Sequence, residues 1–180
     1  MEDNPARAFK DKPDSSMTVG LNLLKAKKGD AFVSAGSTGA LLSAATLLIK
    51  RIRGIRRAAM APVIPTTGGR AVLIDCGANA ECTVEYLLQF AYLGSYYAQK
   101  VLGVENPRIG LLNIGAEESK GTPMLREAHQ LLKTTPGIRF VGNIEPRDVP
   151  NGDVDVVVCD GFTGNVILKL TEGVAKMLLG

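Results

Sequence analysis

Asp153-Val154-Asp155-Val156-Val157-Val158-Cys159-Asp160-Gly161-Phe162-Thr163-Gly164-Asn165 decides how this chain is read. Residues 154–159 are a short apolar run rich in Val, the composition of a strand buried on both faces of a parallel sheet. Gly161 and Gly164 interrupt it, allowing a sharp turn and close approach by a ligand. A helix is expected over 165–179. Its free N–H groups would point at whatever lies above the strand end, a place for an anion.

The same strand–turn–helix unit recurs upstream. A strand over 71–75 leads through Cys76-Gly77-Ala78-Asn79 to a long helix over 83–102. A strand over 108–113 leads through Ile114-Gly115-Ala116-Glu117-Glu118-Ser119-Lys120-Gly121 to a helix over 123–133. A strand over 138–141 leads to Gly142-Asn143 and a polar connection with Pro146 and Pro150. Before these, residues 5–14 read as loop or short helix, and Ser15 or Ser16 caps a helix through about residue 28. Residues 31–34 read as a short buried strand, Gly36-Ser37-Thr38-Gly39 as a turn and 40–51 as a helix. Residues 59–65 look extended, and Thr66-Thr67-Gly68-Gly69 is a hairpin turn. The alternation predicts a single α/β domain over 1–180, a parallel-rich, Rossmann-like α/β/α sandwich with both sheet faces covered. Met1–Pro5 is a polar lead with no opening strand, and Gly180 follows an apolar helix. Both ends therefore read as cut, and the expectation is an internal piece of a longer chain.

Bulk properties narrow the function classes. Of 180 residues, 46% are apolar, normal for a packed core, while only 5% are aromatic and none is Trp. That is poor in stacking groups for a nucleic-acid module, and the net charge of +3 is too mild to imply one. Cys76, Cys82 and Cys159 cannot form a disulfide framework; with no signal peptide read, they point to a reducing cytoplasm. The apolar run 39–49 is broken by Ser43 and Thr46 and is too short to span a bilayer. Lys50, Arg51, Arg53, Arg56 and Arg57 suit either solvent or an acidic protein or lipid partner.

In such folds ligands sit beyond the carboxyl ends of the strands. There the sequence offers Ser34, Gly36, Ser37, Thr38, Gly39, Asp75, Gly77, Asn79, Asn113, Gly115, Glu117, Glu118, Lys120, Asn143, Asp160, Gly161, Thr163, Gly164 and Asn165. Glycine gives backbone access, hydroxyls and amides give hydrogen bonds, and Lys120 is the one obvious cation, a set able to hold an oxyanion without a metal. Residues 34–39 lack the Lys-Ser/Thr ending of a P-loop and read equally as anion cradle or ordinary turn. No GxGxxG supports a dinucleotide. Lys120 reads as a solvated loop lysine or a functional one, and Asn165 as a helix cap or a ligand. The thiols read as core residues, and His129 as lying on a polar helix face. With no His near a Cys or Ser, a covalent triad is not expected. Asp75 and Asp160 read as strand-end carboxylates that could hold a metal together, with no His and no third carboxylate placed to support them.

The stretches 34–41, 73–79, 87–91, 111–121 and 153–165 together closely resemble the bacterial phosphate acyltransferase of phospholipid synthesis, in order and over nearly all 180 residues. The resemblance implies that acyl-[acyl carrier protein] and inorganic phosphate give acyl phosphate and free carrier protein, with no metal and no cofactor. It implies a fold like that of the isocitrate and isopropylmalate dehydrogenases, a homodimer, and a cytoplasmic location with peripheral contact to anionic membrane. The product would pass to a membrane glycerol-3-phosphate acyltransferase. Lys120 and Asn165 match the family's proposed catalytic pair. Ser37, Thr38, Gly39 and Asn79, with Gly115, Gly161 and Gly164, would form the phosphate-binding surroundings. The family's opening strand and everything beyond the last helix are absent, and Ser37 stands where many members have Asn. The alternatives are a phosphotransacetylase-like acyl-coenzyme A:phosphate transferase, a dehydrogenase of the same fold, and a non-enzymatic anion-binding or membrane-associated scaffold.

Overall fold

A computed structural model describes residues 7–180, so the polar lead 1–5 lies outside the described residues. The chain divides into two compact units, one up to Ala58 and one over Ala59–Gly180.

The first unit is helical in its described part: α1 (Ala8–Asp11), α2 (Ser16–Lys25) and α3 (Thr38–Leu48). Ser15 caps α2, its Oγ accepting from the Thr18 amide at 3.3 Å, and Leu21 is buried beneath it. The strand expected at 31–34 does not form, and Val33 is 93% exposed. A strand needs a neighbour for its ladder, and the described residues of this unit contain no other strand to pair with it. Helix α3 starts earlier than its apolar run because Ser37 is its N-cap, accepting from the Ala40 amide at 3.5 Å.

The second unit carries β1 (Val63–Thr66), β2 (Gly69–Ile74), α4 (Val84–Val101), β3 (Arg108–Leu112), α5 (Pro123–Thr134), β4 (Arg139–Ile144), a 3-10 turn (Val149–Asn151), β5 (Val156–Val158) and α6 (Gly161–Leu179). The strands form one mixed sheet in the order β1-β2-β5-β3-β4. β1 and β2 are the expected hairpin; β2, β5, β3 and β4 run parallel. The Val-rich run that opened the sequence reading thus lies at the middle of the sheet.

Alternation along the strands divides the core. Val72, Ile74, Ile109, Leu111, Val156 and Val158 face α4 and α5. Leu73, Leu112, Val157 and Cys159 face the other way, with Met60, Ile64, Ile167 and Leu168 packed against them. Thr83 caps α4, which buries Leu87 and Phe90 completely, each contributing roughly 2–3 kcal/mol of apolar burial. A Cβ at Gly94 would stand 2.5 Å from Val156 Cγ1, so the missing side chain lets α4 sit directly on β5.

β4 runs farther than its apolar residues suggest, straight through Gly142 and Asn143. Ile109 pairs with Phe140 but Gly110 pairs with Gly142, so Val141 is the extra residue of a bulge. Gly142, at φ 108°, supplies the conformation this needs.

Candidate active site

Because β2, β5, β3 and β4 are parallel, the turns that follow them share one edge of the sheet. The turn after β2 is organised by Asp75, whose side chain is fully buried. Its Oδ1 accepts from the amides of Met60 (2.8 Å), Cys76 (2.6 Å) and Ala78 (3.2 Å). Its Oδ2 accepts from the amide and Nδ2 of Asn79, at 2.7 and 2.9 Å. Asn79, expected near phosphate, thus commits its side-chain donor group to Asp75.

The turn after β5 is shorter than expected, since α6 begins at Gly161. Asp160 is the reason: Oδ1 accepts from the Thr163 amide at 2.8 Å and Oδ2 from the Thr163 hydroxyl at 2.7 Å. Gly161 and Gly164 therefore lie in the first turn of the helix, pressed against the turn after β2. The Gly161 amide donates to the Asn79 carbonyl at 2.8 Å. A Cβ on Gly161 would stand 2.6 Å from that carbonyl, and one on Gly164 would run into the carbonyl of Asp75. The open, anion-receiving helix start expected from the sequence is corrected here. The amides of Gly161, Thr163 and Gly164 all have protein acceptors, and a carboxylate, Asp160, caps the end. What α6 offers instead is the side chain of Asn165, its fifth residue, exposed above Gly77.

The turn after β3 holds Lys120. Asn113 closes it, accepting from the Ile114 amide at 2.8 Å and donating through Nδ2 to the Lys120 carbonyl at 3.1 Å. The side chain of Lys120 runs along buried Gly115, where a Cβ would meet Lys120 Cγ at 2.9 Å. Asn143 of β4 donates to the Glu117 carbonyl at 2.8 Å, and that carbonyl also accepts from the Lys120 amide. His129 is buried rather than on a polar surface, contrary to its helical periodicity, because it bonds Asn143 Oδ1 at 2.9 Å and packs edge-on to Phe140. Glu118 binds Lys133 at 2.6 Å and Gln130 at 3.2 Å; the Lys133 bond, then the Gln130 bond, hold its carboxyl below the usual range. Lys120 itself is exposed, and its ammonium has no partner among the described residues. It and Asn165 follow the neighbouring strands β3 and β5, and no hydrogen bond joins them.

In the first unit, Ser37, Thr38 and Gly39 are the cap and first residues of α3. An open hollow of ≈ 360 Å³ there is lined by Thr46 and residues 50–55, including Lys50, Arg51 and Arg53. The thiols are poor nucleophiles. Burial, then the Asp75 charge, raises Cys76; burial raises Cys82 to about 11; burial, then Asp160, raises Cys159 well above its ordinary value. Among the described residues no cluster of three His, Cys, Asp or Glu side chains is placed to hold a metal. The sequence reading included Asp75 and Asn143 among the strand-end residues but missed the tethering work they do. A lone Asp or Asn at the end of an apolar run was the available signal.

Known proteins agree with this architecture. A protein named phosphate acyltransferase from Alkaliphilus oremlandii is 56% identical over 177 residues, 98% of this chain and 52% of that protein. One of the same name from Clostridium tetani is 53% identical over 97% of the chain and 52% of the relative. The chain spans about half the length of these relatives. Among solved structures, the EutD phosphotransacetylase from Staphylococcus aureus superposes with a TM-score of 0.68 at 21% identity, over 88% of this chain and 55% of that one. A branched-chain phosphotransacylase from Enterococcus faecalis V583 gives 0.60 at 19% identity, over 87% and 64%. At such identities these two establish the α/β fold, and the likeness to the dehydrogenase fold rests on sequence resemblance alone. The family model described as fatty acid synthesis protein matches residues 1–180, and the chain belongs to that family.

Proposed function

We propose that the chain carries strand-end machinery of a phosphate acyltransferase of phospholipid synthesis. An oxygen of hydrogen phosphate attacks the thioester carbonyl of acyl-[acyl carrier protein]. The C–O bond forms, the C–S bond breaks, and the phosphate's proton passes to the departing pantetheine thiolate, giving acyl phosphate and free carrier protein. The nucleophile is already anionic at neutral pH, so no activated Ser or Cys is required; the demand is to hold developing charge in place. Lys120 compensates that charge and relays the proton. Asn165 donates to the oxyanion or phosphate, with Gly115, Gly161 and Gly164 keeping the backbone close and Asn79 in the surroundings.

The observation that supports this reading is Lys120: an ammonium with no partner among the described residues, on a tethered loop at the sheet edge where the neighbouring strand leads to Asn165. The protein is a cytoplasmic homodimer in peripheral contact with anionic membrane, delivering acyl phosphate to a membrane glycerol-3-phosphate acyltransferase. Residues 50–57 dock the acidic carrier protein. In the complete gene product, Lys120→Ala is expected to lower the rate of acyl-phosphate formation by about 100-fold or more with the melting temperature unchanged. A rate near wild type would remove Lys120 from the mechanism. A second reading, transfer from coenzyme A, is favoured by the names of the two structural neighbours. Turnover of acetyl-coenzyme A in preference to acyl carrier protein would select it.

A further inference from the structure

Asp75 is a buried charge to which the reaction above gives no part. All five of its close polar neighbours are N–H groups: the amides of Met60, Cys76, Ala78 and Asn79, and Asn79 Nδ2. A carboxylate only accepts, so it suits this ring of donors. An amide would turn its own NH2 toward one half of the ring and leave donors there unpaired. Four of the five bonds act on residues 76–79, the turn that bears Gly77.

What lies over that turn is the side chain of Asn165. Gly77 has φ 108°, and its missing Cβ would touch Asn165 Oδ1, Cγ and Cβ at 3.6, 3.7 and 3.8 Å. The space between this turn and the Asn165 side chain is thus about one methyl group wide, so a shift of Gly77 changes the room the amide has. From below, Gly161 brings the start of α6 onto the same carboxylate, its own missing Cβ pointing at Asp75 Oδ2 from 2.7 Å. One buried anion thus sets both the turn under Asn165 and the seat of the helix that carries it.

We propose that Asp75 is a positioning residue for Asn165, holding the Gly77 turn as the platform on which the Asn165 amide is aimed. The inference rests on the role given to Asn165 above, and its test separates the two. In the complete gene product, Asp75→Asn is compared with wild type by NMR of the Asn165 side-chain amide. The Asn165 signals are expected to move while those of Asn22 and Asn106, far along the sequence, stay in place. In turnover, Asp75→Asn is expected to lower kcat by about tenfold or more while KM for phosphate changes less than about twofold. In an Asn165→Ala background the same change should cost less than about twofold, because the residue it acts through is gone. Equal losses in both backgrounds, or unmoved Asn165 signals, would overturn the proposal. If the signals move but wild type turns over no acyl carrier protein, the positioning contact stands and the reaction assignment falls. Should Asp75→Asn fail to fold, Asn79→Ala removes only the Nδ2 bond; Asn165 signals that do not move in that variant overturn the proposal equally.

Discussion

The turns after β2 and β3 solve one problem in two ways. Each follows a buried strand of the parallel sheet, and each is closed by a buried polar residue directly after it, Asp75 or Asn113. The Asp75 side chain only accepts and gathers its own turn inward, and that turn takes the Gly161 amide of α6 on its Asn79 carbonyl. Asn113 both accepts and donates, spanning a longer loop from the Ile114 amide to the Lys120 carbonyl. The first turn presents shape, with its Cys76, Ala78 and Asn79 donors already used. The second presents a charge, with Lys120 left exposed. The proposed reaction, which binds anions and releases them, would benefit from that division, since a rigid floor need not carry the cation itself.

The sharpest way to break the comparison is to push the two partners of the first turn apart. Gly164→Ala drives a methyl group into the Asp75 carbonyl and toward Cys159 Sγ. We expect a loss of about 3 kcal/mol or more, read as a fall in the denaturant midpoint; a neutral result would show that α6 can slide off the turn. A smaller effect is expected in the second turn. Asn113→Ala removes one acceptor and one donor and should cost about 1–2 kcal/mol, with faster amide exchange at Ile114. If exchange rose equally at Asn79, the turns would not be independent.

The smallest expected effect is at the opposite edge of the sheet, where Arg108 at the start of β3 grips Asp155 with its amide (2.7 Å), Nε (3.0 Å) and Nη2 (3.0 Å). Burial pushes the Asp155 carboxyl up, but the Arg108 bonds and charge outweigh it and hold the group below the usual range. The folded form therefore binds this proton less readily than the unfolded one. The stabilisation is whole above the ordinary carboxylate pKa of about 4 and is lost as pH falls from there through the depressed folded value. Stability measured against pH should fall less steeply on that acid limb in Asp155→Asn than in wild type; identical limbs would mean the pair is idle.

Local chemistry carried much of this architecture. Thr83 before α4, Thr122 with Pro123 before α5, and the Gly-rich hairpin after β1 are each visible as residues, and each acts where its chemistry says. What periodicity could not deliver was pairing and burial. Residues 31–34 have strand composition but no neighbour among the described residues of their unit, and His129 has the spacing of a surface residue but Asn143 to bond. Of the candidate site, the residue types at the strand ends were readable. That Asp160 would close the α6 start, while Asp75 shapes the turn beneath Asn165, depends on strands 84 residues apart in sequence lying side by side.

The bulge at Val141 bears on how this sequence can change length. Pairing with β3 keeps step on both sides of it, Phe140 with Ile109 and Gly142 with Gly110, so Val141 is a spare link in the ladder. Losing that residue would leave Asn143 on the face where it meets His129, and the tether to the Lys120 loop intact. Losing a residue between Gly142 and Ile144 instead would invert the alternation beyond the gap and exchange core for surface. Natural relatives that differ by one residue in this strand are therefore expected to carry the gap at 141.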